Sequence, residues 1–269
     1  MGKNDDINIQ HPEAWELLVA IGDQQLDYIL FTPTVAGSLQ IGHASRTDIS
    51  LQALEDATYE TPELLNDYRR VRIVVSSRHF VLLPMETSDD DCAELVRAAF
   101  PADDGEAAVC PLLKNGVKIA YLMPQGTQAF LGRTFSYPEV YHHLYSLCEH
   151  FKTLNRGDNL SRMFLNLNAE SMDMAIYRKG VFLGANSFQF TNTHDATYFA
   201  LNAWRAHGLD QLTDELQLMG DRKMCAEMTP KLREFVKFVM PAEYPAVAMQ
   251  LGRNAMQAPL ELILLALCE

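Results

Sequence analysis

The side chains that could do chemistry are few and scattered. His142-His143 followed by Cys148-Glu149-His150 is the stretch richest in metal-ligand types. Structural zinc needs four ligands, usually two pairs at fixed spacing, and no second pair follows. The stretch therefore reads as a strand end entering a helix, with packed imidazoles and thiol, and no metal ligand is assigned. Cys225 stands among Met219, Met224 and Met228 and reads as a core thiol, because no neighbouring base or cation is there to activate it. Asp89-Asp90-Asp91 suits the first turn of a helix, where the peptide dipoles favour negative charge. No phosphate-binding G-x-x-x-x-G-K-[ST] loop, dinucleotide fingerprint, nucleophile elbow, H-E-x-x-H pair or C-x-x-C occurs. No catalytic residue is assigned.

The remaining candidates lie in turns, and a repeat picks them out. Leu18 to Phe31 aligns without gaps on Phe164 to Tyr177, matching Leu18 with Phe164, Ile21 with Leu167, Leu26 with Met172 and Asp27 with Asp173. Each copy reads as a strand, a polar turn and a second strand: the turn spans Gly22 to Gln25 in one and Asn168 to Ser171 in the other. A third strand follows in both, near Ser38 to Ala44 and near Val181 to Phe190, making two antiparallel meanders.

The period then changes from two to 3.6. In the first half a helix is expected to begin at Thr61-Pro62-Glu63, with Thr61 as cap. In the second a helix starts at Thr193 or Asp195 and runs to His207, closed by Gly208. Each leads to an apolar strand, Val71 to Val75 and Leu216 to Met219. The first half inserts a subdomain at about 80–115, holding a strand, the Asp89–Phe100 helix and a strand near Val109 to Leu113. Strand Val117 to Met123 is expected to resume the first half, with strand Glu139 to His143 and a helix from Tyr145 to Leu154 after it. A helix from Lys223 to Val236, a strand from Lys237 to Met240 and a helix after Pro259 close the second. The expectation is an α/β protein of two mixed-sheet subdomains with helices on both faces, the first half at 1–158 and the second at 159–269.

Composition limits what such a protein does. A formal charge of −13 is unsuited to gripping phosphate backbones, so no nucleic-acid partner is expected. The run Arg69-Arg70-Val71-Arg72 reads as a solvated strand end. The polar start Met1 to Asp6 carries neither leader nor myristoylation pattern. The apolar run Leu262 to Leu267 is far below the ~20 residues that span a bilayer, so no membrane insertion is expected. Five unpaired cysteines, Cys92, Cys110, Cys148, Cys225 and Cys268, fit a reducing compartment, and a cytoplasmic location is expected.

The repeated meander followed by helix–strand alternation resembles the duplicated ribonuclease H-like fold of the actin-like ATPase superfamily. The insertion falls where its cell-division and pilus-assembly branches carry theirs. Over nearly the whole chain the pattern resembles a bacterial family of uncharacterised proteins with that fold. The resemblance implies ATP–Mg²⁺ held by two hairpin turns of Asp-x-Gly type and a late Gly-rich turn. Carried over residue by residue, those turns are Ala20-Ile21-Gly22-Asp23, Asn166-Leu167-Asn168-Ala169 and Met219-Gly220-Asp221-Arg222. Gly22, Asp23, Asn166, Asn168, Gly220 and Asp221 are thus the candidate binding residues. Ala20 and Asn166 occupy the two positions of the metal-organising acids, and phosphoryl transfer depends on that clamp. The expected function is a non-hydrolysing pseudo-ATPase acting as an interaction or scaffold protein, with no cofactor and an unidentified protein partner bound at the insertion or the cleft. The alternative is an ATP-binding or ATP-hydrolysing switch with non-standard loops, using Asp23, Asp27, Asp173 or Asp221.

Overall fold

A computed structural model describes residue 9, residues 11–155 and residues 159–268. The polar start, Met1 to Asp6, lies outside them. The chain divides into two compact units, one of Met1–Pro111, Val117–Ser146 and Pro245–Glu269, the other of Leu112–Gly116 and Leu147–Tyr244.

The first unit is built on strands β1 (Glu16–Ile21), β2 (Gln25–Phe31), β3 (Gln40–Ser45) and β4 (Arg70–Val75), with β8 (Glu139–His142) at one edge. Their order is β3-β2-β1-β4-β8. β1 pairs antiparallel with β2 and parallel with β4, and β4 pairs parallel with β8. Every residue of β1 is buried, as a central strand covered on both faces requires. Part of that cover is the terminal helix α7 (Leu260–Leu267), which packs on β1 through a run buried from Leu262 to Leu265.

The helix between β3 and β4 is not the one expected. Pro62–Leu65 is a single 3₁₀ turn, and the hydroxyl of Thr61 makes no cap there; it donates back to the Ala57 carbonyl at 2.9 Å. The α-helix lies earlier, as α1 (Leu51–Tyr59). Ser50 caps it, its Oγ accepting the Ala53 N–H at 3.2 Å, and Ala53, Leu54, Ala57 and Thr58 form its buried face. Pro62 has no N–H to offer and cannot extend it.

A second sheet of the first unit joins β5 (Phe80–Pro84), β6 (Glu106–Leu112) and β7 (Val117–Met123) in the order β5-β7-β6. Thus Val117–Met123 is the middle strand of this smaller sheet and does not resume the larger one. Helix α2 (Asp89–Ala99) packs on it, with Cys92 and Val96 against Ala120 and Leu122. Ser88 caps α2 by accepting the Asp91 N–H at 3.1 Å, and Asp89 pairs with Lys118 at 2.7 Å. The acidic triplet thus serves the helix start. Helix α3 (Thr127–Thr134) follows β7, and α4 (Leu144–Leu154) follows β8.

The basic run before β4 is only partly solvated. Arg69 is exposed, and Arg70 pairs with Glu139 at 2.6 Å. Arg72 is buried: its Nη2 meets Glu16 at 2.9 Å, and its Nη1 donates to the carbonyls of Leu265 and Cys268. One side chain thereby joins β1, β4 and the end of α7, where the free carbonyls of a helix C-terminus favour a cation.

The second unit repeats the strand order. Strands β9 (Ser161–Leu167), β10 (Ser171–Arg178), β11 (Val181–Gln189), β12 (Glu215–Gly220) and β13 (Phe238–Pro241) lie in the order β11-β10-β9-β12-β13. Helices α5 (Thr193–Ala206) and α6 (Arg222–Arg233) pack on each other and on the sheet through Ala196, Ala200, Trp204, Met224, Met228 and Leu232. Asn192 caps α5, accepting the N–H groups of His194 and Asp195.

Candidate functional site

The two hairpin turns singled out by sequence have one geometry. In the first unit Ala20 faces Asp27 across the ladder, and the Gly22 N–H donates to the Gln25 carbonyl at 3.0 Å. In the second Asn166 faces Asp173, and the Asn168 N–H donates to the Ser171 carbonyl at 2.8 Å. The parallel neighbours also correspond. Ile21 lies beside Val75 and Leu167 beside Gly220, with Ser76 donating to Ile21 and Asp221 to Leu167 at 3.0 and 2.7 Å.

Four of the six candidates meet in the second unit. Asn166 is 2% exposed, and its Nδ2 donates to Asp173 Oδ2 at 3.2 Å. The other carboxylate oxygen of Asp173 accepts from Ser187 Oγ at 2.7 Å. Asn166 Oδ1 is buried without a partner and faces Gly220, where an added Cβ would stand 2.7 Å from it. Gly220 has φ +96°, and the same Cβ would lie 2.2 Å from the Leu167 carbonyl oxygen. Asp221 caps α6, its carboxylate accepting the Met224 N–H at 2.8 Å. Asn168 sits exposed on the turn. Asn166, Gly220 and Asp221 are engaged in holding the ends of β9, β12 and α6 together, while Asn168 closes the β9–β10 turn.

Gly22 and Asp23 lie in the first unit and line a cavity of about 350 Å³. Asp23 pairs with Arg78, and the Gly22 carbonyl accepts from Arg46 Nη1 at 2.7 Å. Asp27 is turned to Gln25, whose Nε2 donates to it at 2.8 Å; burial raises its carboxyl above the usual range, opposed by that hydrogen bond and by His43. The cavity also takes in His79, paired with Asp103, and Thr127 at the start of α3. Sequence reasoning passed over Arg46, which the β2–β3 pairing carries to the Gly22 turn, and over Arg78 and Thr127, which reach the cavity from later stretches of the chain.

The His/Cys stretch is held by packing. His142 is fully buried, its Nε2 donating to the Ser77 carbonyl at 2.9 Å and its Nδ1 accepting the Leu144 N–H at 3.3 Å. Burial, then the neighbouring His143, lowers its pKa well below the usual value. Glu149 accepts from the Lys114 N–H and from Asn115 at 3.2 and 3.3 Å, and burial raises its pKa. Burial also raises the Cys225 thiol, opposite to what a nucleophile needs. Among the described residues no three His, Cys, Asp or Glu side chains converge as a metal site, and no helix is long and apolar enough to cross a membrane.

The profile of a family described as protein of unknown function, DUF3822, matches residues 4–239. The chain belongs to the DUF3822 family. No curated protein matches it. Among solved structures, a Bacteroides thetaiotaomicron protein with actin-like ATPase fold and unknown function aligns with a TM-score of 0.78 at 23% identity, covering 96% of this chain and 97% of the other. A chain of the PilM–PilN type IV pilus biogenesis complex aligns with a TM-score of 0.53 at 15% identity, covering 96% of this chain and all of the other. This DUF3822 member therefore has the actin-like ATPase fold, as its repeated meander led one to expect.

Proposed function

We propose that this chain is a non-hydrolysing actin-like protein that works by binding a protein partner. The observation that carries the reading is the state of the two turns. Ala20 and Asn166 stand where acids would organise Mg²⁺, and the N–H groups of Gly22 and Asn168 are given to carbonyls of their own hairpins. Asp23 is held by Arg78, Asp173 by Asn166 and Ser187, and Asp221 by the start of α6. These residues do not fit an ATP–Mg²⁺ clamp, and no phosphoryl-transfer step is derived through them. The partner class is supported by the fold shared with a chain of a PilM–PilN assembly. The insertion of β5, α2 and β6 offers a surface for it, including the exposed Leu95.

The test is calorimetric titration of the full chain with ATP and ADP, with and without Mg²⁺, alongside a phosphate-release assay. We expect no Mg²⁺-dependent binding and no release above the protein-free rate. Micromolar Mg²⁺-dependent ATP binding would instead support the switch reading.

A further inference from the structure

We infer that the cavity beside Gly22 in the first unit is a binding site for a small amphipathic anion, a carboxylate or phosphate group carried on an apolar body. This goes beyond the partner-binding reading and does not rest on it.

Two buried polar atoms carry the inference. Thr127 is 2% exposed and Arg46 9%, both line the cavity, and neither Thr127 Oγ1 nor Arg46 Nε has a hydrogen-bond partner. Leaving such a group unsatisfied is costly, more so when the group is charged, so two in one cavity call for a ligand that accepts from both. Arg46 is also a buried charge whose direct partners are carbonyls. Its Nη1 and Nη2 donate to the backbone carbonyls of Gly22 and Ser50 at 2.7 and 3.1 Å, and no carboxylate pairs with it among the described residues. Burial lowers its pKa, with Asp23 and Asp48 opposing from a distance. Buried guanidinium groups are normally matched by an anion.

The remaining charges leave that demand in place. Asp23 is paired with Arg78, Asp103 is hydrogen-bonded to His79 and accepts the Gly105 N–H, and Asp104 is exposed. Two helix starts border the cavity, α1 at Ser50 and α3 at Thr127, and both place positive dipole ends there. They stand close together, since a Cβ on Gly126 would meet Leu51 at 2.9 Å. The rest of the lining includes the apolar side chains of Ile21, Ile49, Leu54, Val75 and Leu122. A volume of about 350 Å³ is at the small end of ligand sites, room for an acid head and a ring-sized body.

The test uses the full chain, ¹⁵N-labelled, titrated with phenyl phosphate, phenylacetate and inorganic phosphate at millimolar concentration without nucleotide or Mg²⁺. We expect phenyl phosphate or phenylacetate to shift the Arg46 Nε–H signal and the amides of Gly22 and Thr127, and to bind more tightly than inorganic phosphate. Which of the two binds more tightly identifies the head group. Thr127→Val, which keeps the shape and removes the hydroxyl, should weaken binding by roughly three- to tenfold while leaving the free protein as stable or more so. Arg46→Met should abolish binding; if that variant does not fold, Thr127→Val decides. The inference is overturned if neither aromatic anion moves these signals, if inorganic phosphate binds as tightly as both, or if Thr127→Val binds like the parent chain. Because no nucleotide or partner is present, this outcome is independent of the ATP titration.

Discussion

Replacing Gly220 by alanine separates a glycine kept for packing from one kept for a ligand. Its φ of +96° lies outside the left-handed well that non-glycine residues tolerate, and holding an alanine there costs about 1–2 kcal/mol. The added Cβ would also stand 2.2 Å from the Leu167 oxygen and 2.8 Å from the Leu167 nitrogen, both backbone atoms that no rotamer change can move aside. Relief means displacing β12 from β9 and stretching the 2.7 Å bond from Asp221 to Leu167. Overpacking of this kind adds about 1–3 kcal/mol, so the expected total is roughly 2–5 kcal/mol. The control is Gly208→Ala in the same unit, where φ is +62° and the nearest atom is the end of Arg178 at 3.7 Å; it should cost about 1 kcal/mol. Urea unfolding followed by the buried Trp204, in a Trp15→Phe background, reads both. If Gly220→Ala costs no more than Gly208→Ala, the close approach of β12 to β9 is not what requires the glycine. The assignment of Gly220 to packing would then be withdrawn.

Three further outcomes follow from the buried charges. Glu16→Gln leaves the Arg72 guanidinium buried without its carboxylate and should cost about 3–5 kcal/mol, while the double change Glu16→Leu with Arg72→Met should recover most of it; thermal melting of the parent and the two variants checks this. His142 has its pKa depressed in the folded chain. Above the unfolded value near 6.5 both states are neutral, but below it only the unfolded state takes the proton, so stability falls by up to ~1.4 kcal/mol per pH unit. His142→Gln should remove that portion of the acid slope between about pH 6.5 and 5, measured as the difference between two urea series. Asn166→Asp sets a second carboxylate beside Asp173, where the amide now lies at 3.2 Å. One carboxyl of the pair is pushed well up, so the variant should match the parent near pH 4 and lose about 3–4 kcal/mol by pH 7, with Mg²⁺ giving no recovery.

Local pattern made the strands and the register of both hairpins legible. The gapless match of Leu18–Phe31 to Phe164–Tyr177 corresponds to the same cross-strand pairing, Ile21 with Leu26 and Leu167 with Met172. Helix α1 was not legible, because its buried face is two alanines, a leucine and a threonine, too weakly apolar to stand out beside the Thr-Pro-Glu signal that follows. Nor was the burial of Arg72, since its carboxylate partner Glu16 is on another strand and its carbonyl partners are on the last helix. The same holds for the cavity. Arg46 reaches the Gly22 turn through the pairing of β2 with β3, but Thr127 comes from a distant stretch, and only the approach of the α3 start to α1 brings it there.

The differences between the two turns form a consistent set. Ala20 and Asn166 occupy equivalent buried places at the ends of central strands, and a carboxylate at either, without a cation, would be an uncompensated buried charge. Each place is filled by a neutral side chain, and the position facing the next residue of each central strand has changed with it. Where the small Ala20 stands, the ladder admits Val75 beside Ile21; where the larger Asn166 stands, the position beside Leu167 is Gly220. Size at one site is matched by lack of it at the other, and the chain then turns at φ +96° into the Asp221 cap of α6. Packing accounts for the glycine at 220, and the cost of buried charge accounts for the neutral side chains at 20 and 166. Neither explanation requires a nucleotide. The orphaned polar atoms from which we infer a ligand lie elsewhere, on Arg46 and Thr127 beside the first-unit cavity.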